Sequence, residues 1–288
     1  MNKLFDYEKA FSRNICWLSK SEQNLLSKKR VAIAGAGGVG GEHLVTLLRL
    51  GIQNFNISDF DEFEVHNFNR QAGAFMSTIG RPKCEVMSEI AKDINPNSDI
   101  KRFDEGINES NVNEFLEGVD IYVDSLDFFA IDARVLLFKK CEEKGIPLVT
   151  AAPIGMGCAF LCFMPGKMSF EKYFRFNDCK NSNEKYAKFI IGLSPKFMKH
   201  NYTVSDEVDF GEGKGPSTPM GVKACGSIAS TYVLKILLKR GKLVVAPHSM
   251  HFDAYINEFT KSYVPFGNRN PIQLLKFHFA KKAFIKKS

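Results

Sequence analysis

Short apolar runs alternate with amphipathic stretches through the first half of the chain. Residues 31–34 are an apolar run that suits a buried parallel strand, and 42–50 have helix-forming composition with Leu44, Val45, Leu47 and Leu48 as apolar positions. Residues 55–59 read as a second strand ending on Asp59. Helical periodicity resumes over 84–93 through Val86, Met87, Ile90 and Ala91, and Asn95-Pro96-Asn97 stops it. A strand follows at 121–124, then a helix at 131–144 with Val135, Leu136, Phe138 and Cys141 inward, a stop at Gly145 and a strand at 147–150. This alternation predicts an α/β fold, a doubly wound, mostly parallel, Rossmann-like sheet.

The pattern divides the chain. Residues 1–30 form an N-terminal arm, in which Ser21 is read as the cap of an amphipathic turn, and 31–165 form a nucleotide-binding α/β core. Residues 166–219, polar and aromatic, read as a long crossover with a helix at 184–191 and a mobile loop around 209–216. Residues 220–288 carry a late helix at 220–239, a closing hairpin at 251–263 and a basic tail, giving a single domain overall.

Composition narrows the class. At 288 residues and 44% hydrophobic content the chain can bury an ordinary core. No run approaches the roughly 18–20 apolar residues of a membrane helix, and the first residues have no apolar signal core, so a cytoplasmic protein is expected. Seven cysteines without regular spacing argue against a disulfide framework. Cys158 and Cys162 lie in a strand-like apolar run and read as buried thiols, and no structural zinc is expected. The net charge of +7 is localised, because the seven basic residues from Phe259 onward meet no acid while the other 32 balance 32 acids. Such a tail suits nucleic acid, an acidic partner or plain solvation.

Candidate chemistry begins between the first strand and helix, where the chain reads V-A-I-A-G-A-G-G-V-G-G. Gly35, Gly37, Gly38 and Gly40 allow a sharp turn and close backbone approach, and the helix N-terminus offers free N–H groups to phosphate. Neither Lys nor Ser/Thr follows the last glycine, so this is no Walker loop, and the expected ligand is a nucleotide. Asp59, at a strand's carboxyl end, suits ribose hydroxyls. Arg70 in N-F-N-R-Q and Lys83 in G-R-P-K would meet phosphate oxygens. Asp127, just after a strand, is placed to hold magnesium beside those phosphates. Each has a plain structural reading as a loop charge, turn acid or helix cap. Together behind a nucleotide loop they fit attack by an anionic nucleophile on the α-phosphate of ATP. A carboxylate nucleophile would give an acyl adenylate and pyrophosphate.

These motifs resemble the ThiF and MoeB family, bacterial relatives of the ubiquitin-activating enzymes. The resemblance is carried by G-A-G-G-V-G, Asp59 in S-D-F-D, Asn67, Arg70 and Gln71 in H-N-F-N-R-Q, Lys83 in I-G-R-P-K, D-I-N-P, and Asp127 in V-D-S-L-D. It implies an ATP- and Mg2+-dependent adenylyltransferase in which these residues bind ribose, phosphates and magnesium. The implied substrate is the free C-terminal carboxylate of a small ubiquitin-like or sulfur-carrier protein or peptide. Arg13 in F-S-R-N resembles the family arginine that reaches the partner subunit's ATP site, which implies a homodimer. The segment G-V-K-A-C-G-S-I-A-S-T-Y-V-L-K-I-L-L resembles the family's late helix, so the likeness runs from about Arg13 to Arg240.

Three departures stand out. Phe128 follows Asp127 where the family usually has Asn, the zinc tetrad of many members is missing, and no second-step cysteine is clearly placed. Cys179, polar-flanked in F-N-D-C-K, is the candidate nucleophile, whereas Cys225 reads as packing. Alternative readings stay open: adenylation of a carboxylate on tRNA, to which the basic tail points; an NAD-dependent oxidoreductase, which leaves Arg70, Lys83 and Asp127 without roles; and a non-catalytic nucleotide-binding partner subunit.

Overall fold

The computed structural model describes residues 5–196, Tyr202 and 215–285, except the side chains of 282–285. Its helices and strands follow one another as α1 (Tyr7–Ala10), α2 (Lys20–Ser27), β1 (Arg30–Ala34), α3 (Gly38–Arg49), β2 (Asn54–Ser58), α4 (Lys83–Ile94), β3 (Asp99–Phe103), α5 (Val112–Phe115) and β4 (Ile121–Asp124). Then come α6 (Ile131–Lys144), β5 (Leu148–Ala152), β6 (Gly157–Phe163), α7 (Phe170–Phe174), α8 (Ser182–Leu193), α9 (Pro219–Leu237), β7 (His248–Asp253), β8 (Glu258–Tyr263) and α10 (Pro271–Ile285). No helix among the described residues is long and apolar enough to cross a membrane.

All eight strands form one sheet in the order β3-β2-β1-β4-β5-β6-β7-β8. The pairs from β3 to β5 are parallel and those from β5 to β8 antiparallel. The predicted mostly parallel, doubly wound sheet is therefore present, with an antiparallel extension. Strand order reverses between β1 and β4, which pair from Val31↔Ile121 to Ala34↔Asp124. That reversal opens a crevice at their carboxyl ends.

Side chains on β1 alternate between two cores, as strand geometry demands. Val31 and Ile33 pack with Leu44, Leu47, Val86, Met87, Ala229 and Val233 from α3, α4 and α9. Ala32 and Ala34 face the other layer, where Tyr122 and Phe138 join Phe163, Phe170, Phe174 and Phe189. Cys158 and Cys162 are buried in β6, as their apolar run suggested.

Several elements depart from expectation. Helix α3 begins at Gly38 instead of residue 42, because Gly40 and Gly41 are buried in packing that offsets their poor helix propensity. Ser19, not Ser21, caps α2 through a reciprocal capping box with Glu22. On α6, Arg134 and Leu137 are buried, whereas Val135 and Leu136 are only partly covered. The polar strand β3 and helix α10 were not anticipated. The aromatic stretch after Pro165 is a packed cluster of α7 and α8. The loop expected around 209–216 falls, up to residue 214, outside the described residues, as do Lys286 and Lys287.

Candidate active site

A cavity of about 1230 Å3 opens at the carboxyl ends of β1, β2, β4 and β5. Its floor is the glycine loop. Gly35 has φ +93°, and a Cβ there would lie 2.2 Å from the Ser125 carbonyl oxygen, so only glycine fits. Gly40 backs onto it, with an ideal Cβ 1.7 Å from the Gly35 carbonyl oxygen; it shapes the loop without lining the cavity. Gly37 precedes the first turn of α3 and supplies no side-chain cap, leaving the helix N–H groups to a ligand. Gly37 and Gly38 both line the cavity.

Asp59 follows β2 and braces this loop. Its Oδ2 accepts from Ala36 N at 2.7 Å and its Oδ1 from Asp61 N at 2.9 Å. Burial pushes its carboxyl above the usual range, and the Lys83 charge opposes that. Lys83 heads α4, is 5% exposed, and donates from Nζ to Asp61 Oδ2 at 2.8 Å. An ammonium has three donors, so this bond leaves capacity for an anionic ligand.

The short segment before α4 brings in the remaining positions. Asn67 is buried with its Oδ1 accepting from Glu64 N at 2.9 Å. Arg70 Nη1 donates to His66 O at 3.1 Å and to Asn69 Oδ1 at 2.9 Å. Partial burial draws Arg70 below the usual arginine pKa, and the charge on Asp127 acts against it. Gln71 packs beside Gly37, and its Oε1 is buried with no hydrogen-bond partner among the described residues. Across the cavity, Asp127 is exposed and accepts from Phe129 N at 2.9 Å through Oδ1.

Asp59, Asn67, Arg70, Gln71, Lys83 and Asp127, separated by up to 68 positions in sequence, thus line one cavity. Arg13 and Cys179 do not. Arg13 is exposed beside Asn14, whose Nδ2 donates to Arg49 O at 3.1 Å, so the arm lies at the far end of α3. Cys179 is half-buried and burial raises its thiol pKa, which favours the thiol over the thiolate.

Sequence reasoning passed over three features. Asp61 is the partner of Lys83. Asp124 and Arg134 form a buried ion pair at 2.8 Å, and Asp124 Oδ2 also accepts from Thr150 Oγ1 at 2.8 Å. From that anchor Arg134 Nη2 donates to the carbonyls of Leu126 and Asp127 at 2.7 and 3.0 Å, which fixes the loop carrying Asp127. The third is the wall supplied by α8 and α10 through Phe189, Ile190, Leu193, Lys276 and Phe279.

A magnesium ion is the group the motif implies. Among the described residues no three His, Cys, Asp or Glu side chains gather as a metal cage. One exposed carboxylate, Asp127, beside a phosphate-binding loop nonetheless fits a cation held jointly by protein and nucleotide.

The arrangement can seat a nucleotide with its phosphates between the helix N-terminus, Arg70 and Lys83. The ThiF family profile matches residues 11–271. The tRNA threonylcarbamoyladenosine dehydratase of Bacillus subtilis is 32% identical over 142 residues, 49% of this chain and 55% of that protein. The SAMP-activating enzyme E1 of Haloferax volcanii is 33% identical over 130 residues, 45% of this chain and 47% of that protein. The chain therefore spans about half the length of these curated relatives. The crystal structure of E. coli MccB with AMPCPP and MccA superposes with a TM-score of 0.63 at 20% identity, covering 84% of this chain and 65% of that one, a likeness of fold. A profile match that runs from the arm through the whole sheet to the start of α10 establishes that the chain belongs to the ThiF family.

Proposed function

We propose that this protein activates a carboxylate by ATP-dependent adenylation. The observation that carries the reading is the convergence of the glycine loop, Asp59, Arg70, Lys83 and Asp127 on one cavity. The substrate carboxylate attacks the α-phosphorus of ATP, an acyl–phosphate bond forms, the α–β bridge breaks and pyrophosphate leaves. Repulsion between anions is the obstacle. Arg70, Lys83 and the N–H groups at the start of α3 oppose it, and Asp59 holds the ribose. Mg2+, held by Asp127 and the nucleotide, would supply further charge neutralisation.

Relatives named as a SAMP-activating enzyme and a molybdopterin-synthase adenylyltransferase support a small protein or peptide C-terminus as substrate. A homodimer belongs to the same reading. Trp17 is 81% exposed in the arm, and Met76 is 77% exposed in the segment before α4, apolar side chains that a second copy would cover. A carboxylate on tRNA is the second reading, favoured by the name of the Bacillus subtilis relative. Against it, Lys276 and Lys281 are engaged within the chain, by Pro195 O and Glu184.

Titration calorimetry with ATP and magnesium, run beside NADH, tests the proposal. Magnesium-dependent ATP binding should weaken at least about tenfold in Arg70→Ala and Asp127→Asn. NADH binding that ignores both substitutions would replace adenylation with redox chemistry.

A further inference from the structure

The cavity continues past the groups assigned to the nucleotide. Directly after Asp127 in the chain, its lining turns apolar with Phe128 and Phe129, and α8 and α10 complete that side with Phe189, Ile190, Leu193 and Phe279, beside Lys276, whose ammonium donates to Pro195 O. Three of these rings pack together, with the Phe128 ring 5.1 Å from Phe129 and 5.4 Å from Phe189 between centroids. Helix α10 is fastened to α8 by Gln273 Nε2, which donates to Ile191 O at 2.9 Å, and by the Lys281–Glu184 ion pair at 2.6 Å. The whole cavity, about 1230 Å3, exceeds the roughly 300–1000 Å3 of a single small-molecule site, which leaves room for a second reactant.

An apolar stripe leads out of this lobe. Ile272, Leu275 and Phe279 are 63%, 60% and 63% exposed. Their spacing of three and four places them on one face of α10, with Phe279 on the cavity wall.

Resting on the adenylation reading, we propose that the carboxylate is borne on a bulky apolar group, aliphatic or aromatic, which fills the lobe between Phe128, α8 and α10. The group belongs to a free acid, which occupies the lobe alone, or to a peptide C-terminus whose preceding residues cover the stripe. Its apolar contacts seat the substrate so that its carboxylate faces the α-phosphate position beside Asp127.

Non-hydrolysable acyl-sulfamoyl adenosines separate these statements, since all carry the same sulfamoyl adenosine half, with the sulfamate in place of the α-phosphate, and differ only in the acyl group. Calorimetry compares the 3-phenylpropionyl and glycyl derivatives on the parent chain, Phe279→Ser and Ile190→Ser, with melting temperature as the folding control. The phenylpropionyl derivative should bind on the order of a hundredfold tighter than the glycyl one, and each substitution should cut that advantage about tenfold. Equal affinity of the two derivatives overturns the apolar acyl site while the nucleotide site stands. Failure of both derivatives, together with failure of ATP, overturns the nucleotide reading and this proposal with it. A third derivative bearing Ala-Leu-Leu-Phe distinguishes the sources. A further gain lost in Leu275→Ser assigns the group to a peptide, and no gain assigns it to a free acid.

Discussion

A methyl group on Gly40 would sit 1.7 Å from the Gly35 carbonyl oxygen, whereas one on Gly38 meets nothing nearer than Val222 Cγ2 at 3.5 Å. Two neighbouring glycines therefore answer to different demands. Gly40→Ala should cost about 3 kcal/mol or more in a urea titration, because backbone must move. Gly38→Ala lies in the first turn of α3, where alanine suits the helix, so its stability should hold while ATP affinity falls. Equal loss of stability in both would mean that the loop is only a packing device. The loop and Asp59 were legible because a tight strand-to-helix turn is a local demand written in adjacent residues. Asp61 was not, since its pairing with Lys83 at 2.8 Å depends on how α4 meets the end of β2. Asn67 and Gln71 were recognised by motif alone, and the structure gives each a physical setting: Asn67 caps its own turn, and Gln71 abuts Gly37.

Helix α3 also buries an ionisable side chain. His43 is fully enclosed beneath the loop with Nδ1 2.9 Å from Ser125 Oγ, and burial lowers its pKa from 6.5 to about 4. A base whose folded pKa is depressed binds fewer protons than in the unfolded chain between those two values, so stability falls as the pH drops through that window. The contribution saturates on the order of 3 kcal/mol below pH 4. Urea titrations at pH 7, 5.5 and 4.5 should show a shallower acid loss in His43→Leu than in the parent chain; coincident slopes would assign the loss to carboxylates. Periodicity could place α3, α4, α6 and α9 because each buries an apolar stripe. It could not find β3, an edge strand whose Asp99, Lys101 and Arg102 face solvent, since no buried face imposes alternation. Nor could it assign Arg134 to the inner side of α6, where Asp124 on another element compensates its charge. The tail was read from its lysines, yet two of them, Lys276 on Pro195 O just past α8 and Lys281 on Glu184 of α8, hold α10 in place.

At the scale of the whole molecule the arm and the cavity lie at opposite ends of α3. Tyr7 Oη donates to Gly51 O at 2.7 Å, Gln23 Nε2 to Leu50 O at 2.7 Å, and Arg240, just past the end of α9, pairs with Glu22 of the arm at 2.9 Å. The twelve residues of α3 put roughly 18 Å between those anchors and the glycine loop. In the proposed dimer, Arg13→Ala mixed with Arg70→Ala should recover part of the turnover that each lacks alone, because one subunit of the pair keeps an intact site. No recovery on mixing would remove the arginine from the neighbouring site. An arm fastened that far from its own cavity also ties rate to abundance. Turnover per subunit should fall on dilution below the dissociation constant of the pair and return on concentration, so the cell's supply of the protein would itself act as a switch.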